Sequence, residues 1–360
     1  MRAMTVVPGR PDQAGLSDVA EPLDDEGSVL LETLVVGLCG TDAEIVEEGV
    51  GYPPPGADAL VLGHEAVARV LAAPASSGLA PGDLVTGIVR QPCPARCPAC
   101  ARGEWDYCSS GTYTEHGIRG SAGFGRERWR SEPAYLVPVP EPLGELGVLV
   151  EPMSVVCKAL ETARHVAARA YARPTRVLVT GAGPIGLLAA GAAAASGFEV
   201  TVLDRMRTGV KPTLAAKLGA AYTDDLDALG GIDTDDIFTA NGGAQFDVVL
   251  ECSGATGVIA RAATTLGQNG VMVLIGIAGH GSDRVQLGMV TNALIRSNGA
   301  LVGTVNAGRR HYADAVDTLL RLDREWLTQL ITRRVALEQW PTALTRSDDD
   351  VKVVVQFPAR

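Results

Sequence analysis

The chain has 360 residues, too many for one small core and enough for two domains. Its residues are 46% apolar and 20% charged, a balance that excludes an intrinsically disordered protein. A net charge of −11 argues against a nucleic-acid partner, which needs clustered Lys and Arg, and serves solubility instead.

Arg2, Pro8 and Arg10 open the chain without an apolar run behind them, so no secretory signal is expected and the protein reads as cytoplasmic. Residues 29–38, 66–73 and 83–89 read as short Val-rich strands, separated by Pro53-Pro54-Pro55, Pro81-Gly82 and Pro92. Short strands with frequent turns predict a β-rich domain over roughly the first 150 residues. An Ala-rich helix is predicted over 155–172. After it strands (176–180, 199–203, 246–250, 271–275) alternate with helices (to about 196, 212–218, 258–266), the pattern of a doubly wound parallel sheet. The uncharged run 177–197 contains Gly181, Gly183, Pro184 and Gly186, so it reads as strand, turn and helix and not as a membrane span. From about residue 306 one amphipathic helix, 311–322, and a closing strand, 351–357, are predicted.

Gly181-Ala-Gly183-Pro184-Ile185-Gly186 follows a strand and opens a helix, the context in which G-x-G-x-x-G binds a dinucleotide. Gly181 permits the turn, Gly183 admits the pyrophosphate, and Gly186 lets helix and strand pack closely. The helix N-terminus then offers N–H groups to the phosphates. Asp204, at the end of the second strand, suits the ribose hydroxyls of NAD. Arg205 and Arg207 could instead neutralise the 2′-phosphate of NADP, so NAD is favoured with dual use open.

The chain has seven cysteines, an odd number that fits a reducing compartment better than a disulfide framework. Cys93, Cys97, Cys100 and Cys108 are spaced C-x3-C-x2-C-x7-C, and four thiolates close a tetrahedral zinc site of structural type. A second, dispersed set comprises Cys39-Gly40-Thr41-Asp42, Gly63-His64-Glu65 and Glu151-Pro152. Cys39, His64 and Glu151 supply S, N and O ligands for a zinc with an open position, and Glu65 is a possible fourth ligand. Two zincs per chain are therefore expected. Such a site lowers the pKa of a substrate hydroxyl, and Thr41 is the candidate first hydroxyl of a proton relay.

As a set these motifs resemble the zinc-containing medium-chain dehydrogenase/reductase family along the whole chain. The resemblance implies a GroES-like catalytic domain over 1–154 and 306–360, with a zinc lobe at 90–110, interrupted by a Rossmann dinucleotide-binding domain over 155–305. It also implies a homodimer or homotetramer. Leu149-Val-Glu151-Pro152, Tyr113-Thr-Glu115-His-Gly117-Ile118 and Gly303-Thr-Val-Asn306-Ala307 are most similar to glucose 1-dehydrogenases of the archaeal type. That likeness implies that Glu115, Glu151 and Asn306 bind sugar hydroxyls, and that C1 of an aldose is oxidised to a lactone. Ala68, Val89, His116 and Ala122 depart from the pattern. They leave open a secondary-alcohol, polyol or modified-sugar dehydrogenase that yields a ketone.

Overall fold

The computed structural model describes residues 1–171, 173–231, 246–277 and 285–358. These form two compact units, Met1–Ser154 with Asn306–Arg360, and Val155–Val305.

In the first unit the strand Val29–Leu38 is buried on both faces, as its nearly unbroken apolar sequence requires. It pairs antiparallel with Glu65–Ala72 on one side and with Lys352–Gln356 on the other. Arg128–Ser131 also pairs with it. The sheet runs from Leu136–Val139 through Leu84–Gly87 and these central strands to Ile331–Ala336. Its core gathers Leu31, Val36, Leu38, Ala68, Phe124, Trp129 and Trp340. Trp129 buries its indole beside Phe124 and satisfies Nε1 on Thr33 Oγ1 at 3.1 Å.

The second unit is a six-stranded, wholly parallel sheet. The strand order is Ala221–Thr223, Glu199–Leu203, Arg176–Thr180, Phe246–Glu251, Leu266–Leu274, Ala300–Gly303. The order steps outward in both directions from Arg176–Thr180. That reversal places the Gly-rich turn at the crevice where such sheets bind ligands. Leu178, Phe246, Val249, Leu266 and Met272 build the core.

Several element ends differ from expectation for identifiable reasons. The helix expected from 155 begins at Val150 and ends at Ala167. Pro152 sits in its first turn, where the missing N–H would have had no partner; residue 172 lies outside the described residues. The helix expected over 258–266 is Thr256–Ala263. Thr264 and Thr265 turn their hydroxyls back onto the Arg261 and Ala262 carbonyls at 2.7 and 2.8 Å and end it, so Leu266 opens the next strand. Helices Gly40–Glu48, Leu287–Ser297 and Arg324–Leu330 were not anticipated. Nor was the strand Ile331–Ala336. Among the described residues no helix is long and apolar enough to cross a membrane.

Candidate active site

Three donors converge in the first unit: Cys39 Sγ, His64 and a Glu65 carboxylate oxygen lie within 4.8 Å of one another. Cys39 ends the strand Val29–Leu38 and caps the helix Gly40–Glu48, so its sulfur accepts the Thr41 N–H at 3.2 Å. Gly63 holds φ +90°, and a side chain there would strike Val36 at 2.7 Å. Only glycine makes this turn, which delivers His64 and Glu65 at the start of the next strand. His64 Nε2 points at Cys39 Sγ at 3.1 Å, while Nδ1 faces Asp42 Oδ1 at 3.5 Å. Asp42 is fully buried and also accepts the Cys39 N–H at 2.9 Å, so one carboxylate orients two donors.

The site is buried and rich in negative charge. Burial disfavours the protonated His64 ring, yet Cys39, Asp42 and Glu151 together hold its pKa well above the usual value. Glu151 is outside the converging trio but near enough to sense it. Burial first, and then Glu65, raises its pKa to about 7. Asp42 Oδ1 and His64 Nδ1 are enclosed with only each other at 3.5 Å, and Glu65 Oε2 is enclosed with only the Lys352 ammonium beside it. An S, N, O donor set with surplus buried negative charge suits zinc. Lys352 provides the balancing cation. It is fully buried, forms an ion pair with Glu65, and donates to Leu38 O at 3.2 Å. Gly37 leaves room for that pair, because a Cβ there would run into the Glu65 carboxylate.

Beside this centre the segment 114–121 folds over the Gly63 turn: a Cβ on Gly117 would lie 2.7 Å from Gly63 O. Glu115 is buried on this segment. Its Oε1 accepts Arg90 Nε at 3.0 Å and Asn306 Nδ2 at 2.9 Å. Asn306 takes φ +59°, a left-handed conformation that Asn tolerates. Tyr312 is buried at the same place; its hydroxyl accepts the Val89 N–H at 3.3 Å. Burial, with Glu151 next, pushes its pKa well up, so it remains a neutral phenol.

The four lobe cysteines bring their sulfurs within 4.8 Å of one another, and all seven cysteines are free thiols. Backbone N–H groups, that of Cys100 foremost, lower Cys97 to about 5, whereas burial pushes Cys100 up to about 12. The cluster thus already favours at least one thiolate, and its four sulfurs fit a closed tetrahedral zinc site.

In the second unit Gly181 takes φ +86° against Ser253, and the helix Pro184–Ala195 starts with proline at its first position. A Cβ on Gly186 would fall onto Gly181 O, whereas one on Gly183 would meet nothing within 4 Å. The open space beside Gly183 belongs to a cavity of about 490 Å³ lined by Gly181, Gly183, Asp204, Arg205, Cys252 and Ser253, among others. Asp204 binds the turn itself, accepting the Ala182 N–H at 2.6 Å and the Met206 N–H at 3.0 Å. Arg205 lines the cavity, but Arg207 does not and instead pairs with Asp224. Ile185 lies in the first helical turn. The shape and the glycine cradle fit a dinucleotide.

Sequence reasoning missed Lys352, Arg90, Tyr312 and the orienting role of Asp42. Lys352 carried a signal, a lone charge inside the apolar run Val351–Val355. Arg90 carried a weaker one, a charge beside Val89 in a Val-rich segment.

A parallel-sheet dinucleotide unit and, in the same chain, a GroES-like unit with a catalytic-type and a four-cysteine donor set define a zinc-containing medium-chain dehydrogenase/reductase. The profile of the "Alcohol dehydrogenase GroES-like domain" matches residues 25–141, and that of the "Glucose dehydrogenase C-terminus" matches residues 144–357. The chain is 38% identical to glucose 1-dehydrogenase of Thermoproteus tenax over 99% of both chains. It is 37% identical to glucose 1-dehydrogenase 2 of Vulcanisaeta moutnovskia, again over 99% of both. Haloferax mediterranei glucose dehydrogenase, solved in complex with NADP, Zn and gluconolactone, superposes with a TM-score of 0.89 at 31% identity over 100% of both chains. The chain belongs to the glucose dehydrogenase family of the zinc-containing medium-chain dehydrogenases.

Proposed function

We propose that this protein is a zinc- and NAD(P)-dependent dehydrogenase that oxidises C1 of an aldose to the lactone. The observation that carries the reading is the S, N, O trio of half-buried Cys39 and buried His64 and Glu65, with a tethered carboxylate, Glu115, on the segment folded over the Gly63 turn. When bound, zinc supplies the Lewis acidity that makes a sugar hydroxyl acidic near neutral pH, and the dinucleotide supplies the hydride acceptor.

The chain's own groups do the rest. Cys39 and His64, oriented by Asp42, and Glu151 or Glu65 hold the catalytic metal. Cys93, Cys97, Cys100 and Cys108 hold the structural one. Glu115, Asn306 and Glu151 accept and donate hydrogen bonds to sugar hydroxyls, and the Thr41 hydroxyl leads the proton away. Gly181, Gly183, Pro184, Ile185 and Gly186 cradle the pyrophosphate. Asp204 meets the adenosine ribose. Arg205 lines the cavity and is the cation placed to meet a 2′-phosphate, whereas Arg207 lies outside the lining and pairs with Asp224. NADP, bound by the Haloferax relative, is accepted alongside NAD.

The free thiols suit a cytoplasmic protein. Ile295 and Leu287 are exposed on the helix Leu287–Ser297, as is Leu301 on the edge strand Ala300–Gly303, and these exposed apolar side chains support self-association into a dimer or tetramer. Turnover is tested with glucose, galactose and xylose against sorbitol, using NAD and NADP in turn, with metal analysis of the same preparation. Aldose oxidation with about two zincs per chain is expected. Activity confined to sorbitol moves the reading to a polyol dehydrogenase, and absence of turnover on any aldose removes it.

A further inference from the structure

Arg90 is only 4% exposed, yet its charge is spent on no surface pair. It lies in the strand Arg90–Gln91, directly opposite Glu115 in the antiparallel pairing with Thr114–His116, so the two side chains share a face. Three contacts fix its guanidinium. Nε donates to Glu115 Oε1 at 3.0 Å, and Nη1 donates to the Asp106 carbonyl at 3.1 Å. The Tyr113 ring covers its face, with the guanidinium carbon 3.8 Å from the ring centroid. Asp106 belongs to the short turn Trp105–Tyr107 between Cys100 and Cys108, so the guanidinium is anchored on the four-cysteine lobe.

From these contacts we infer that Arg90 is a positioning residue for sugar recognition, which acts through Glu115. The inference rests on the sugar-binding reading of Glu115 and extends it. Asn306 reaches the same oxygen, so Oε1 holds two protein donors and is fully used. Among the described residues Oε2 takes no hydrogen bond, and it is not one of the enclosed orphan atoms. It is therefore the oxygen left for a ligand. A carboxylate that already accepts from an arginine and an amide offers a ligand only acceptor positions. Glu115 held this way discriminates in favour of a hydroxyl donor and against an analogue that lacks it, because the bound sugar would cover this oxygen and leave it unpaired. A Lys at position 90 would retain the charge but could not reproduce the fork that spans Glu115 and the Asp106 carbonyl.

The test uses the full-length, zinc-loaded enzyme and four variants: Arg90→Met, Arg90→Lys, Glu115→Gln, and the Arg90→Met/Glu115→Gln double variant. Kinetics are measured with glucose and each monodeoxyglucose, and thermal unfolding is recorded in parallel. Arg90→Met is expected to raise KM for glucose about tenfold or more, with a smaller change in kcat and an unchanged KM for the dinucleotide. Its preference for glucose over the deoxy analogue that the native enzyme rejects most should shrink, as it should in Glu115→Gln. In the double variant KM should rise no more than about twofold beyond the worse single variant. Arg90→Lys should fall between native and Met, and it carries the same test if Arg90→Met does not fold. Native KM in a folded Arg90 variant, or fully additive losses in the double variant, overturns the inference while leaving Glu115 as a sugar ligand. Native KM in Glu115→Gln removes the sugar-binding reading of Glu115 and this inference with it.

Discussion

Replacing Lys352 by Met keeps the volume of the buried stem and deletes the cation that faces Glu65. The Glu65 carboxylate is then left in a dry site that already holds Asp42, Glu151 and Cys39. Breaking a buried ion pair by removing one partner costs about 3–5 kcal/mol, because the other charge stays buried without compensation. The donor bond to Leu38 O is lost as well. For a unit of roughly 200 residues this corresponds to a fall in Tm of roughly 6–20 °C. The measurement is thermal unfolding in chelator, followed by the same scan in excess zinc. Zinc should narrow the deficit, since a divalent cation beside Glu65 replaces the missing charge and binds only the folded state. The Lys352→Met/Glu65→Gln double variant should recover most of the stability, because it removes both charges together. A single variant that melts with the native protein in chelator would refute the reasoning, as would a double variant no more stable than the single one.

Two further expectations follow from local geometry. Gly183→Ala should leave Tm unchanged and weaken NAD(P) binding about tenfold or more, because its methyl enters the open cradle. Gly186→Ala should lower Tm sharply, because its methyl has no room against the Gly181 carbonyl; equal unfolding curves for the two variants would contradict this assignment of the glycines. Burial lowers the His116 pKa to about 4, and the ring gives one hydrogen bond to Ala122 O and stacks near Phe124. The unfolded chain therefore takes up a proton that the folded one refuses. Stability is full above pH 6.5 and is lost as pH falls toward 4, by about 3 kcal/mol in total. Urea unfolding at pH 7 and pH 5 should show a shallower pH dependence in His116→Asn, and an unaltered slope would exclude His116 as its source.

What could be read from the sequence was whatever is local. The strands Arg176–Thr180 and Glu199–Leu203 are apolar runs bounded by glycine and charge, and they lie at the expected residues. The motif residues Cys39, His64 and the four lobe cysteines announce themselves by chemical type and spacing. The partners that shape the site come from far along the chain. Lys352 reaches Leu38 across 314 positions, and Asn306 reaches Glu115 across 191. Arg90 and Glu115 are only 25 positions apart, but their meeting depends on a two-residue strand whose register no pattern specifies. The helix Gly40–Glu48 went unseen because its first turn coincides with the ligand motif and its apolar content is slight.

The strand Lys352–Gln356 lies between Val29–Leu38 and the edge strand Ile331–Ala336 of the first unit, although it follows the whole second unit in the chain. The nucleotide unit is one continuous stretch and can fold as soon as it leaves the ribosome. The first unit must wait with one edge of Val29–Leu38 unpaired and Glu65 without its counter-charge. Catalytic competence is therefore a late event in biosynthesis. A nascent chain stalled just beyond residue 305 should bind dinucleotide yet hold an unfinished metal centre.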